Sequence, residues 1–162
     1  PYDKDRVAVF MAQSQVEGSI NKKSQIADTN MINFSFRSGG QSNAAQVLAT
    51  VFGGGGHAAA AGANIAMKGL DFKSKLVVKV NGQVTNDAKT IYDAANKNVQ
   101  VSENNKINFR DKAKMMNKIE IEMSQDGNGR TCSEIIRDVL GEMRKTQPVQ
   151  PQRNYGNYGN RA

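Results

Sequence analysis

The clearest period in the chain lies in residues 31–38, MINFSFRS, where Ile32, Phe34 and Phe36 alternate with Asn33, Ser35 and Arg37. That spacing predicts a strand with one face toward a core and the other toward water or a ligand. Upstream, residues 6–12 carry VAVF and MA behind Arg6 and read as a buried strand rather than a sharply alternating one. The polar stretch QSQVEGSINKKSQIADTN that follows has the composition of a loop with room for a short helix. SGGQS then supplies a turn and a candidate cap, Ser42, before Ala44, Val47, Leu48, Val51 and Phe52 recur at helical spacing. The glycines at 53–56 should end that helix.

Further on, ANIAM and LVVKV read as short strands, and Asn81 with Gly82 form a hairpin turn pair leading to a returning strand. Over 86–99, Ala88, Ile91, Tyr92, Ala95 and Val99 mark one side of a helix. Residues 106–123 fit two periods. IEIEM alternates like a strand, while Phe109, Ala113, Met116, Ile119 and Met123 fit a helical stripe. After the turn DGNGR, Thr131 and Glu134 make a capping box for a last amphipathic helix bearing Ile135, Ile136, Val139, Leu140 and Met143. The pattern predicts an α/β or α+β fold, a mixed central sheet with flanking helices, in one principal domain over 1–146. Residues 147–162 have no aliphatic period and repeat Asn-Tyr-Gly, which predicts a flexible basic tail, disordered or bound to a partner.

Composition narrows the options. A chain of 162 residues with 38% hydrophobic positions suffices for one ordinary core. No run approaches the ~18 apolar residues of a membrane span, and the opening PYDKDRV lacks the basic and apolar regions of a signal peptide. A soluble, cytoplasmic protein with no membrane partner is the expectation, and Pro1 in the place of an initiator methionine hints at further chain before Tyr2. Cys132 is the single cysteine, which fits a reducing compartment and is read as a buried helix residue; His57 is the single histidine, which excludes paired-histidine metal motifs. The net charge is +7, and the last twenty residues supply Arg144, Lys145, Arg153 and Arg161 with no acid to oppose them. That balance favours phosphate polymers, although moderate positive charge is also a common solubility feature.

The sharpest chemical feature is FGGGGHAAAAG, Phe52 to Gly62. Glycines let backbone amides reach a small anion, a helix beginning in the alanines would aim further amides at it, and an imidazole can donate to a phosphate oxygen. The motif is neither a Walker loop, which needs Lys followed by Ser or Thr, nor a dinucleotide-binding G-x-G-x-x-G, because here the predicted helix precedes the glycines. ATPase and dinucleotide-dehydrogenase functions are therefore rejected.

Phe34 to Ser38, the helix Ala44 to Phe52, Gly53 to His57 and Ala60 to Gly62 together resemble DHHA1, the accessory substrate-binding domain of the DHH phosphoesterase family. The resemblance covers roughly 31–66. It implies that Arg37 and Ser38 match the arginine-serine end of a strand, Gly54, Gly55 and Gly56 the glycine loop, His57 its phosphate-facing histidine, and Ala61 with Gly62 the following pair. The phosphate-binding candidates are thus Arg37, Ser38, Gly54, Gly55, Gly56 and His57, and Arg37 and His57 could grip one anion.

The family keeps its two metals in a separate domain built from aspartates and a double histidine. Asp3 and Asp5 near the start do not supply that set. The resemblance implies a nucleotide- or RNA-phosphate-binding module with no catalytic residue or metal of its own, Mn or Mg entering only with a catalytic domain supplied elsewhere. Its expected partners are nucleotide or RNA, a catalytic DHH domain, or further copies of the chain. The alternatives are a C-terminal fragment of a metal-dependent phosphodiesterase acting on short RNA or cyclic dinucleotides, and a packing protein in an RNA-associated or virus-like assembly. Two other basic features are candidates for RNA contact. Lys106, Arg110, Lys112, Lys114 and Lys118 are diluted by Asp111, Glu120 and Glu122 and otherwise read as a solvated face. In the tail, Arg153, Tyr155, Tyr158 and Arg161 permit base stacking and phosphate attraction, or serve a solubilising extension.

Overall fold

A computed structural model describes residues 6–16, 20–21, 26–27, 29–39 and 42–146. The tail candidates Arg153, Tyr155, Tyr158 and Arg161 lie outside the described residues, as do Asp3 and Asp5. The fold is mixed α/β, with a central sheet and flanking helices, as the pattern predicted.

Four strands make that sheet: β1 (Val7–Gln15), β4 (Thr29–Ser38), β5 (Gly55–His57) and β6 (Ala60–Lys68), antiparallel in the order β1-β4-β6-β5. Two short strands, β2 (Ile20–Asn21) and β3 (Ile26–Ala27), pair within the polar stretch. Helix α1 (Ala44–Val51) covers one face of the sheet, packing on β4, β5 and β6. Ile32, Phe34 and Phe36 point into that interface, and the Phe34 and Phe52 rings stack with centroids 4.4 Å apart. Burying an aromatic ring here contributes roughly 1.5–3 kcal/mol, which makes Phe52 the anchor at the end of α1.

Strand β1 departs from its sequence reading. It alternates: Val7, Val9 and Met11 turn toward the core, whereas Ala8, Phe10 and Ala12 are exposed. Hydropathy concealed this because both rows are apolar. They differ in bulk, and only the inner row meets the covered side of the sheet.

A second sheet runs in the order β8-β7-β9: β7 (Leu76–Val80), β8 (Gln83–Thr85) and β9 (Ile119–Met123). Asn81 and Gly82 both take positive φ, 52° and 86°, at the turn between β7 and β8, as a two-residue hairpin demands. Helix α2 (Ala88–Glu103), capped by the Asp87 carboxylate accepting from Lys89 N–H, packs on α1 and on helix α4 (Cys132–Thr146). The Thr131 and Glu134 box forms: Thr131 N–H donates to the Glu134 carboxylate at 2.9 Å, and Glu134 N–H donates to Thr131 Oγ1 at 3.2 Å. The Thr131 N–H and the Thr131 hydroxyl, both donating to the carboxylate, with Lys75 nearby, hold the Glu134 carboxyl below its usual range.

Between α2 and β9 the two candidate periods divide the chain. Residues 109–115 form α3 (Phe109–Met115), and Ile119 onward joins β7 in register, Val80 opposite Ile119. Buried Asn98 fixes the junction, its Nδ2 donating to Asn117 O at 2.9 Å and its Oδ1 accepting from Asn117 N–H at 2.6 Å. The core is one cluster from Ile32 to Met143 that includes residues of both sheets and of α1, α2 and α4. No helix among the described residues is long and apolar enough to cross a membrane.

Candidate functional site

Helix α1 ends in a way that explains the first glycines. Gly53 N–H donates to Thr50 O at 3.1 Å and Gly54 N–H to Ala49 O at 2.8 Å, with Gly53 at φ 83°. This is a Schellman closure, which wants a glycine in the left-handed region just past the helix. The amide of Gly54 is therefore occupied, and its missing side chain is explained by packing: a Cβ would sit 2.1 Å from Gly62 O. At Gly56, φ is 147° and a Cβ would meet Ala61 Cα at 2.6 Å. The alanine-rich segment then runs as a turn at 58–59 into β6, so no helix begins there to present further amides. What the sequence suggested as a loop around an anion is largely a helix cap and an edge strand laid close against β6.

Alternation sorts the six candidate residues. Arg37, on the outward face of β4, is paired with Ala60 of β6, and Ala60 in turn with His57 of β5. Paired residues share a face, so Arg37 and His57 stand on the outward side, two strand spacings or about 9.5 Å apart. Both are exposed. Arg37 Nη1 donates to Phe36 O at 2.9 Å, steadying the guanidinium while leaving its other donors for a ligand. Gly55 is on the same face, in the next row.

Ser38 is not. It follows Arg37 and so turns to the opposite side, where its hydroxyl donates to Ala58 O at 3.3 Å and accepts from Ala45 N–H at 3.2 Å. Ser38 ties the β5–β6 turn to the start of α1, and with Gly54 and Gly56 it shapes the site from behind. The structure thus brings together Arg37, Gly55 and His57 and separates them from Ser38, Gly54 and Gly56.

Charge reinforces the outward face. No Asp or Glu occurs between Asp28 and Asp71, nor between Asp5 and Glu17, so the described residues of this sheet carry no carboxylate. Lys68, also on the outward face, ends β6. Among the described residues neither Arg37 nor His57 has an acidic partner.

A residue not singled out by sequence completes the face. Phe10 is 63% exposed and begins a transverse row that runs through Ser35 and Gly62 to Gly55. Beside the ring, the next three positions have almost no side chain, a shelf about 14 Å across. The Arg37 and His57 row lies one step away, about 7 Å along the strands. Asn33 and Asn64, paired and exposed, flank the shelf on its other side.

No protein-family model, curated protein or solved structure matches the chain. The described residues also do not suit a metal centre, since no group of three or more His, Cys, Asp or Glu side chains gathers among them. Cys132 is buried, and burial pushes its thiol up to about 11.

Proposed function

We propose that the chain is a nucleotide- or RNA-phosphate-binding module of the DHHA1 kind, without catalytic residues of its own. The observation that carries this reading is the row Ala8, Arg37, Ala60 and His57, two cationic or proton-donating side chains facing each other across one alanine on a sheet face whose described residues include no acid. Both side chains are long enough to converge on an anion above Ala60. A guanidinium donating two parallel bonds is well suited to phosphate oxygens. The shelf beside Phe10 supports an unpaired base next to that phosphate, because a planar ring can rest on backbone where side chains are missing. Hydrolysis, in this reading, belongs to a metal-bearing domain or partner using Mn or Mg.

The test is calorimetric titration of a 5′-phosphorylated diadenylate into wild type, R37A, H57A and the double variant, with circular dichroism reporting the fold. Each single change should weaken binding roughly 10- to 150-fold, the equivalent of about 1.5–3 kcal/mol for a bond to a charged group. The double variant should lose less than the sum, because both side chains hold the same group. F10W adds a reporter to a chain with no tryptophan, and its emission should be quenched by the diadenylate. Wild-type affinity in both single variants would overturn the clamp. Absence of wild-type binding would leave the face to protein packing.

A further inference from the structure

Strand β1 leaves one side of the central sheet open. It ends the order β1-β4-β6-β5, and among the described residues it pairs with β4 alone. Val16 N–H donates to Thr29 O at 2.9 Å, which fixes the parity of that pairing. The even-numbered residues of β1 exchange bonds with β4, and Val7, Val9, Met11 and Gln13 turn their N–H and C=O groups to the open edge. The nine residues of β1 run in unbroken register and carry no charge and no proline. Charges, prolines and bulges are the means by which edge strands are kept from pairing with another chain, and this edge has none of them.

Beside the edge, on the covered side of the sheet, is a trough of about 230 Å³. Val9 and Met11 line it from β1, and Ile136, Arg137, Leu140 and Arg144 line it from α4. Both arginines are exposed and neither has an ion-pair partner among the described residues; the α4 acids Asp138 and Glu142 pair instead with Arg130 and Lys145. A strand that fits here must bring open backbone groups, apolar side chains at every second position and carboxylates in the same row. We propose that it is β1 of a second copy of this chain, paired antiparallel about a twofold axis at Val9. Asp3, Asp5, Val7, Val9 and Met11 share one parity in the sequence, which is the chemistry the trough calls for. In this register Val7 meets the partner's Met11, and the exposed ring of Phe10 lies beside the partner's small Ala8, so bulk meets space on one face and apolar rows meet on the other. The partner's Asp5 falls opposite Gln13, just past the apolar stretch, and brings a carboxylate to the trough that holds the arginines. The chain's own residues 147–162 do not fit: Pro148 and Pro151 lack the N–H that an added strand needs, and Arg153 and Arg161 would face arginines. Paired residues share a face, so the two outward sides merge into one eight-stranded surface bearing both rows of Arg37 and His57. The pairing does not depend on what those rows bind.

Sedimentation velocity of the full chain over about 1–100 µM tests the proposal, since association follows concentration. Wild type should sediment as two chains, twice the 17.6 kDa of one. V9K sets a charge into the trough at the axis and should raise the dissociation constant at least about ten-fold. The charge reversals R137E/R144E and D3K/D5K should each weaken the dimer, and joining them in one chain should restore it, which loss of fold would not do. Circular dichroism verifies the fold of each variant. V9C should form an interchain disulfide on mild oxidation, with Cys132 buried and out of reach, whereas Q13C should not. A wild type that stays monomeric, or a dimer indifferent to V9K and to both reversals, would overturn the proposal. A monomer that binds a labelled peptide of alternating valine and glutamate would overturn it in favour of a foreign strand, and cross-linking of Q13C but not V9C would overturn the register.

Discussion

Alanine substitution along Gly53 to Gly56 separates a helix cap laid against β6 from a flexible phosphate cradle. At Gly54 the added methyl would lie 2.1 Å from Gly62 O and 2.6 Å from Ala63 Cβ, neither of which is the end of a flexible side chain. Forcing such an overlap costs roughly 1–3 kcal/mol as the strands part. Gly56 adds to a comparable overlap, 2.6 Å to Ala61 Cα, a φ of 147° that side chains rarely adopt. Backbone strain there contributes a further ~1–3 kcal/mol, for a total of about 2–6 kcal/mol. Gly53 has open space but φ 83°, so G53A should cost only the left-handed penalty, about 1–2 kcal/mol. Gly55 has open space and no such constraint, and G55A should be neutral or stabilising by up to about 1 kcal/mol through the unfolded chain. Urea denaturation followed by circular dichroism, with the midpoint and slope fitted separately, gives the order. The reasoning requires G56A and G54A to be the least stable, G53A intermediate and G55A the most stable. Four equal variants, or a G55A less stable than G54A, would refute the close packing of β5 on β6.

Three further outcomes follow from single side chains. N98A removes both bonds to the Asn117 main chain and should destabilise the protein by roughly 2–4 kcal/mol, with amide exchange at Asn117 and Lys118 accelerating first; an unchanged urea midpoint would dismiss Asn98 as the pin between α2 and β9. The Oε1 of buried Gln46 has no hydrogen-bond donor among the described residues, so Q46M should be neutral or stabilising by up to about 2 kcal/mol, and a clear loss would reveal a partner such as a buried water. The Cys132 thiol stays protonated to about 11 in the fold while an unfolded thiol ionises near its ordinary value of 9.0. Unfolded chains then hold fewer protons between those values, so Cys132's contribution is intact below about pH 8.5 and falls as pH rises toward 11. The wild-type stability minus that of C132A should decline over that window, and a flat difference would contradict the burial.

Much of the local structure was legible from residues a few positions apart. The alternation Ile32, Phe34, Phe36, the Asn81 and Gly82 turn, and the Thr131 and Glu134 box each rest on forces acting within one element, and each forms. Arg37 was correctly placed on a polar face for the same reason. What the sequence could not determine is which side of an element another element covers. Strand β1 has two apolar rows, and packing on the covered side of the sheet left Phe10 outside. The stripe from Phe109 to Met123 satisfied two periods until β7 offered Ile119 to Met123 a partner, leaving Phe109 on a helix with nothing above it. The glycine run looked like freedom; the position of β6 turned Gly54 and Gly56 into requirements of contact. Ser38 looked like a neighbour of Arg37 in function, but one step along a pleated strand reverses direction and sends its hydroxyl to the turn behind. Periodicity is set by local backbone geometry, whereas burial and close approach depend on contacts between segments far apart in sequence.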